Sequence, residues 1–374
     1  MFRTQTTIAA IILSLISFIA ACDQPAADWQ GTIEEIDGIT VVRNPKEPIY
    51  GVEVVNLEEE LTIGAVEGAA ETMFAEVSGV VVSEDGRIFV LDAKECHIQV
   101  FDARGNYLNS IGRKGQGPGE TQNPRSIQVT PQSEIMVRDL QGDRMLFYTL
   151  EGEFLRDVLT AEWGNLSKPL IDSQGNIIAD YSIPGQVFRR ELSKFDSRLD
   201  TLFTIHNLEL FKLPVMKAFF PEFFWQVTKS DRIIWGFSTR YELQVLDSEG
   251  SLLRKITKEF SPVPITEEDK QDRMHFLFGG ITVPGGITLE WPEHHWAFGD
   301  LSLDEEGRIF TRTFEKTPDG KSYVYDVFDP EGRFIAKIPI PAKPQAWKNH
   351  KLYLTEEDED GFQYVKRYRV TWTI

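Results

Sequence analysis

A glycine-rich loop with two adjacent cations is the feature of this sequence that most clearly could bind a ligand. It covers residues 112–120 and contains Arg113 and Lys114. It is not a nucleotide phosphate loop, because no Gly-Lys-Ser/Thr follows, and Pro118 and Pro124 forbid the helix of a dinucleotide fingerprint. Two interpretations remain open. Either the glycines supply the positive-φ turns of a connection, or Arg113 and Lys114 bind an anionic group.

Three further arginines, Arg138, Arg240 and Arg312, stand at comparable ends of apolar runs. Together they would form a cationic ring suited to a carboxylate, a sulfate or a uronic acid. The alternative is that they form ion pairs with nearby aspartates. Asp92 and Asp139 are included as candidate ligand-binding residues, although aspartates at such positions most often cap loop backbone.

Metal and nucleophile chemistry find little support in the sequence. In the cluster 290–295, Pro292 breaks the helix that would place histidine ligands on one face. The acidic run 356–361 lacks the alternating ligand spacing of a calcium loop. No Gly-x-Ser-x-Gly elbow is present. We therefore predict no catalytic residue, no metal site and no cofactor.

Charge excludes one large class of partner. The 374 residues carry 39 basic and 58 acidic side chains, a formal net charge of −19. A nucleic-acid partner is therefore not expected, because such binding needs a basic face to displace counterions. With 41% hydrophobic and 26% charged residues the composition is that of a globular protein. Two cysteines exclude a disulfide framework.

The N-terminal sequence predicts where in the cell the protein is located. Arg3 is the one charge before the apolar run 8–21, which has the length of a signal-peptide core and is short for a membrane span of roughly 20 residues. The run ends in Ile-Ala-Ala-Cys22, which resembles the bacterial lipobox, where cleavage precedes a cysteine that then carries lipid. We predict a signal peptide over 1–21, a lipid anchor at Cys22, a tether over 22–31 and a membrane-anchored lipoprotein of the bacterial cell envelope. A plain secretory signal is the alternative.

The rest of the chain is a repeat of short β-rich runs. Turn signals containing Gly, Asp, Asn or Ser fall near residues 86, 133, 174, 230, 307 and 349. A period of about 40–55 residues with four strands per copy predicts a β-propeller, here with six blades. The long gap between the fourth and fifth turns is assigned to an insertion near 257–296.

The sixth copy lacks its outermost strand. Residues 56–64 parallel residues 104–112, the outermost strand of the first copy. We therefore expect an N-terminal strand to complete the last blade, which leaves no unpaired edge. The hairpin-like pair over 32–42 is expected on the outside of that same blade. The propeller is predicted to span residues 32–374.

The amino-acid sequence of the first copy resembles a known repeat family. Asp85-Gly86-x-Ile88-Phe89-Val90-x-Asp92, followed by Ile98-Gln99-Val100-Phe101-Asp102, resembles an NHL repeat. With the glycine-rich loop and the lipobox, the chain is similar to the six-bladed β-propeller lipoproteins of bacterial envelopes over residues 32–374. The resemblance implies an all-β fold of four-stranded antiparallel blades.

Two function classes follow from this architecture. In a propeller, the loops joining second and third strands and those joining blades share the face that usually binds ligands. The first hypothesis is a lipid-anchored, non-catalytic binding or scaffold module for an envelope protein, a peptide or a glycan. The alternative is a metal-dependent hydrolase or lyase of the lactonase kind. Converging Asp, Glu, His and Asn side chains would favour the enzyme, whereas an Arg-lined or aromatic-lined channel would favour binding.

Overall fold

The computed structural model describes residues 28–51, 54–65, 72–163, 165–183, 185, 187–212, 214–279 and 285–373. Six antiparallel blades surround a central channel, and the first strand of each blade is innermost. Neighbouring innermost strands pack against one another around the ring. The predicted six-bladed β-propeller is confirmed.

The strands are distributed as follows. The N-terminal strands are β1 (Thr32–Ile36), β2 (Ile39–Asn44) and β3 (Val55–Ile63). Blade one contains β4 (Val77–Val82), β5 (Ile88–Asp92), β6 (His97–Phe101) and β7 (Tyr107–Ile111). A two-stranded ladder of β8 (Arg113–Lys114) and β9 (Glu120–Thr121) follows. Blade two contains β10 (Pro124–Val129), β11 (Glu134–Asp139), β12 (Arg144–Thr149) and β13 (Phe154–Leu159). A 3-10 turn covers Ala161–Trp163.

The second half of the ring carries the additions. Blade three contains β14 (Ser167–Ile171), β15 (Ile177–Ile183), β16 (Val187–Phe195) and β17 (Thr201–Lys212), and is extended by β18 (Val215–Lys217). Blade four contains β19 (Phe223–Val227), β20 (Ile233–Phe237), β21 (Glu242–Leu246) and β22 (Leu252–Lys258). The insertion holds helix α1 (Glu267–Phe278) and β23 (Thr288–Glu290). Blade five contains β24 (Leu301–Leu303), β25 (Ile309–Lys316), β26 (Tyr323–Phe328) and β27 (Phe334–Ile340). Blade six contains β28 (Pro344–Lys348), β29 (Lys351–Glu357), β30 (Gln363–Trp372) and, from the N-terminal region, β3.

The last blade is closed from the opposite end of the chain, as predicted. Strand β3 pairs antiparallel with β30, in a register that runs from Val55 opposite Trp372 to Ile63 opposite Val365. Ile63 is buried in the apolar cluster between blades six and one. The described residues form six such clusters, one at each junction between neighbouring blades. The hydrophobic effect therefore holds the ring together blade by blade.

The N-terminal hairpin lies on a different blade from the one predicted. Strand β2 pairs parallel with β22, so the hairpin covers blade four rather than blade six. The ladder runs from Thr40 opposite Arg254 to Asn44 opposite Lys258, and Val42 is buried against blade four. The Asn44 side chain then donates to Gly332 O (2.9 Å) and accepts from Phe334 N (2.7 Å) in blade five. The chain then passes the outer strand of blade five, where Tyr50 N donates to Ile335 O. Residues 28–51 and 54–63, called the belt below, thus cross the outer edges of blades four, five and six.

The insertion between β22 and β24 begins with a helix that the sequence did not predict. Thr266 caps α1, and the side chains and backbones of Thr266 and Asp269 form a capping box. No residue of α1 is buried, so it lacks the apolar stripe by which amphipathic helices are recognised. Strand β23 then pairs parallel with β18, which attaches the insertion to blade three. No helix of the described ranges has the length and hydropathy needed to cross a bilayer.

Aspartates fix the tight turns between strands. In five turns an aspartate carboxylate accepts backbone N–H groups two and four residues later, at Asp102, Asp172, Asp196, Asp247 and Asp358. Glycine takes the left-handed position in four of them, for example Gly105 with φ 84°. The Asp-x-x-Gly spacing seen in the sequence is therefore a backbone-capping device.

These turn carboxylates predict a pH dependence of stability. Hydrogen bonds, first of all from the backbone N–H four residues later, lower the pKa of Asp196, Asp247 and Asp358. A lowered folded-state pKa stabilises the protein above the unfolded value of about 3.9 and loses that effect as pH falls through the folded value. Urea unfolding is expected to show a free energy that declines below about pH 4. The triple variant D196N/D247N/D358N keeps the oxygen acceptors but should show a shallower decline, and an unchanged slope would contradict this explanation.

Candidate functional site

A pocket opens where the central channel meets the loops of blades three to six. Its volume is about 360 Å³. The insertion forms one wall and the starts of the innermost strands form the other. We call this cavity the mouth pocket, and its charged and aromatic lining consists of Lys168, Phe219, Phe220, Glu222, Phe224, Arg273, Trp296, Phe298, Asp300, Arg312, Phe314 and Lys343. It adjoins a 240 Å³ cavity inside the channel, with which it shares Lys168, Phe224, Asp300 and Lys343.

Lys168 stands at the junction of the two cavities. It lies in β14 where the pairing register with β15 shifts, and its φ is 44°, in the left-handed region. Such a bulge re-aims a side chain out of the regular ladder. Its Nζ lies 5.7 Å from the ring centre of Phe224. Burial, and then the nearby charge of Lys343, lower the pKa of the Lys168 amine.

Arg312 is positioned by a glycine. A Cβ at residue 299 would come within 2.5 Å of the Arg312 guanidinium, so Gly299 provides the space in which Arg312 lies. The guanidinium carbon is 4.8 Å from the ring centre of Tyr323 and 5.5 Å from that of Phe314. Its Nε is buried and has no hydrogen-bond partner among the described residues. An unpaired buried donor of this kind has its hydrogen-bonding capacity free for a ligand.

The insertion supplies a third cation. Arg273 of α1 donates from Nε to Ala218 O (2.6 Å) and lies over the rings of Phe219 and Phe220, at 5.4 and 5.5 Å. Trp296 donates from Nε1 to Phe220 O (3.1 Å). These contacts attach the helix to the loop between blades three and four. The aromatic wall of the pocket depends on them.

Cations outnumber acids around the pocket. Lys168, Arg273, Arg312 and Lys343 line it, whereas Glu222 and Asp300 are its two carboxylates. Lys343 Nζ lies 3.6 Å from Asp300 Oδ1, so one acid is already paired. Behind the wall, Arg190 forms an ion pair with the buried Asp180. The pocket is thus a cationic site in an acidic protein, which attracts anions by focusing the field.

Of the arginines predicted from the sequence to form a ring, the structure brings Arg312 to the mouth pocket. Arg138 is 1% exposed, and its Nε donates to Leu166 O (3.0 Å). It therefore supports the backbone of the connection into blade three instead of facing the channel. Arg240 is exposed on the loop after β20 and is not part of the mouth pocket lining. The three arginines are therefore not assembled into one ring.

Asp92 and Asp139 have a backbone role. Both carboxylates are fully buried. Asp92 accepts from Ala75 N (2.7 Å), and Asp139 accepts from Asn123 N (2.7 Å). They hold the loops that enter blades one and two, which is the capping alternative considered for them.

The glycine-rich loop lies between blades one and two, away from the mouth pocket. Gly112 and Gly119 have φ values of 75° and 72°, as the turn interpretation requires. Arg113 donates from Nε to Glu120 Oε1 (2.7 Å) and is 81% exposed, and Lys114 pairs in the short β8–β9 ladder. Anion binding by Arg113 and Lys114 stays a prediction. Cys22 lies outside the described residues.

Sequence reasoning missed Lys168, Arg273 and Lys343, because they come from three separate elements that meet only in the closed ring. The aromatic run 219–225 was a usable signal. Phe223 and Trp225 are core, whereas Phe219 and Phe220 line the pocket. In the described part of the chain, no three His, Cys, Asp or Glu side chains are grouped as a metal site would need.

Comparison with known proteins supports the architecture. A family model described as a six-bladed β-propeller matches residues 65–167. The chain is a six-bladed β-propeller. No curated protein matches the sequence. Among solved structures, a protein from Bacteroides fragilis described as exported superposes with a TM-score of 0.56 at 12% identity, over 89% of this chain and 100% of that chain.

A second propeller is equally similar. A member of the DUF4221 family from Bacteroides vulgatus gives a TM-score of 0.55 at 14% identity, over 86% of this chain and 99% of that chain. At such identities the likeness shows the fold alone. The function of the mouth pocket must therefore be argued from its own residues.

Proposed function

We propose that this protein is a non-catalytic binding module of the bacterial cell envelope, anchored through lipidated Cys22, that takes up an acidic ligand in the mouth pocket. The observation that carries the proposal is the set of four cations around one aromatic-walled cavity in a chain of net charge −19. Guanidinium groups bind carboxylates and sulfates through charge-assisted hydrogen bonds. The proposed envelope location and lipid anchor rest on the apolar run 8–21 and the lipobox-like sequence before Cys22.

An acidic glycan fits this pocket better than a protein partner does. A volume of about 360 Å³ is at the low end for small-molecule sites, whereas protein partners usually bury about 800 Å² per side on an open surface. Phe220 and Trp296 add aromatic side chains to the pocket lining beside the cations. A uronic acid at the end or on a branch of a glycan would place its carboxylate on the arginines and its ring against the aromatic wall.

The pocket lining also bears on the enzyme alternative. A metal-dependent hydrolase or lyase places several carboxylate, Asn or His ligands around the channel. The mouth pocket instead has Arg, Lys and aromatic side chains with two carboxylates, Glu222 and Asp300. This lining favours binding.

The proposal is tested by titration calorimetry of the detergent-solubilised full chain with digalacturonic acid. The variant R312Q/K343Q is expected to weaken binding about tenfold or more, because it removes two cationic contacts of a charge-assisted site. Added salt should weaken binding by the wild type as well. The variant R113Q/K114Q, which removes the cations of the glycine-rich loop, is expected to bind as the wild type does.

Two results would contradict this assignment. Loss of binding in R113Q/K114Q with retention in R312Q/K343Q would move the site to the glycine-rich loop. Absence of binding by the wild type at millimolar ligand would reject the acidic-sugar ligand. Unfolding curves of both variants show whether each remains folded.

A further inference from the structure

Lys168 has an environment that a simple anion site does not require. Its side chain is solvent-accessible, yet it lies where the mouth pocket and the channel cavity join. Within the described residues its amine has no hydrogen bond and no ion pair, whereas Lys343 beside it is paired with Asp300. Its backbone is held at a φ that non-glycine residues rarely adopt. Strain of this kind persists where the surrounding structure imposes it, often at ligand sites.

The surroundings of Lys168 lower the pKa of its amine. Burial, Lys343 and Arg190 all disfavour the ammonium form, and Glu222 and Asp300 oppose them, with a net lowering of the pKa. A lysine next to other cations in a partly desolvated cavity is the usual setting of an amine that attacks carbonyl groups. The channel and mouth together leave room beside it for a small molecule.

Carboxylate-binding groups line the same cavity. Arg312 offers a buried Nε with no partner in the described chain, and Lys343 is half exposed. A ligand with a carboxylate next to a carbonyl would satisfy both features, its carboxylate on these cations and its carbonyl carbon at Lys168.

We propose that Lys168 captures a 2-oxo acid as a reversible imine in the mouth pocket. This inference rests on the proposed anion-binding role of that pocket and goes beyond it by assigning a second class of carboxylate ligand. The neutral Nζ attacks the carbonyl carbon, an N–C bond forms, and the carbonyl π pair moves to oxygen. A proton passes from nitrogen to that oxygen to give a carbinolamine. The hydroxyl group then leaves as water with the remaining proton of the nitrogen, and the nitrogen pair forms the C=N bond of the imine. The oxidation state does not change, and hydrolysis reverses the capture.

The experiment is borohydride trapping with pyruvate as the probe. The full chain is incubated with pyruvate and sodium cyanoborohydride, and the adduct is located by peptide mass spectrometry. A single adduct at Lys168 is expected, absent from K168R and preserved in K229R, an exposed lysine outside the pocket. R312Q should slow the trapping about tenfold, because the variant lacks the guanidinium group that binds the carboxylate of pyruvate.

Trapping spread over surface lysines, or none at Lys168, would overturn the imine. Calorimetry of pyruvate and digalacturonic acid then separates the two proposals. If either anion still binds and the R312Q/K343Q variant loses it, the pocket remains an anion site and only the covalent step fails. If neither anion binds, both proposals fail. Matching unfolding curves for K168R and the wild type exclude misfolding as the cause of a lost adduct.

Discussion

A chain that starts at residue 65 is expected not to fold cooperatively. Without β3, the ten-residue strand β30 becomes an exposed edge with unpaired backbone groups, a template for aggregation. The cluster between blades six and one also loses Ile63, and the turn at Gly105 loses the Leu61 side chain against which it packs. Urea unfolding followed by tryptophan fluorescence should show no sigmoidal transition, and most of the protein should be found in aggregates.

A permuted chain separates the contribution of β3 from that of residues 28–51. Thr373 N donates to Val54 O (3.0 Å), so the two residues are neighbours. A short linker containing Asn-Gly can therefore join Thr373 to residues 54–64, moved to the C-terminal end of the chain. This permutant, still starting at residue 65, is expected to recover a cooperative transition because it restores β3 but not residues 28–51. A cooperative transition in the simple truncation would contradict the closure by β3.

A point variant at the junction between blades six and one can be compared with a control variant on an exposed strand position. Ile63→Ala removes a side chain buried between two blades and should lower the free energy of unfolding by about 2–5 kcal/mol. Leu159→Ala, at a strand position that is 72% exposed, should change it by less than about 0.5 kcal/mol.

Lys194→Met is the second change with a large expected effect. Lys194 Nζ lies 2.8 Å from Asp172 Oδ2, and both side chains are almost fully buried. The same Nζ donates to Ser248 O (2.9 Å), so it links blade three to the outer turn of blade four. Burial raises the pKa of Asp172, but hydrogen bonds from Lys194 and Asn176 outweigh burial and lower it. Removing the lysine leaves the buried Asp172 carboxylate without its ion-pair partner, which costs about 3–5 kcal/mol of unfolding free energy.

A double-mutant cycle measures this pair. Lys194→Met combined with Asp172→Asn should recover part of the loss, because no unpaired charge then remains. Lys229→Met is the control, since that lysine is 76% exposed and its ion pair with Glu305 contributes less than about 1 kcal/mol. If Lys194→Met were as mild as the control, the pair would have no role in joining the blades.

The sequence predicted those parts of the fold that repeat. Turns with Asp and Gly recur because each strand reversal needs a carboxylate cap and a left-handed residue, and both residue types are visible in one sequence. The matching pattern at residues 56–64 revealed the closing strand for the same reason. The N-terminal hairpin is held by its ladder with β22 and by Asn44, which meets a turn of blade five almost 290 residues away, and no local pattern predicts such distant contacts.

The candidate site was accessible to sequence reasoning only in part. Arg138 and Arg312 occupy equivalent places in their strands, opposite Met145 and Tyr325. The guanidinium of Arg138 donates to the backbone carbonyl groups of Leu166 and Arg144, whereas Gly299 leaves Arg312 the space to line the mouth pocket. Arg273 contributes because α1 contacts the loop between blades three and four, a path that insertion length alone does not determine.

The most direct test of the mouth pocket as the ligand site is a crystal structure of the full chain soaked with galacturonic acid. The sugar carboxylate is expected on Arg312 and Lys343, with the ring against Phe220 or Trp296. Sugar density on residues 112–120, or an empty mouth pocket in crystals with open channels at saturating sugar, would contradict it.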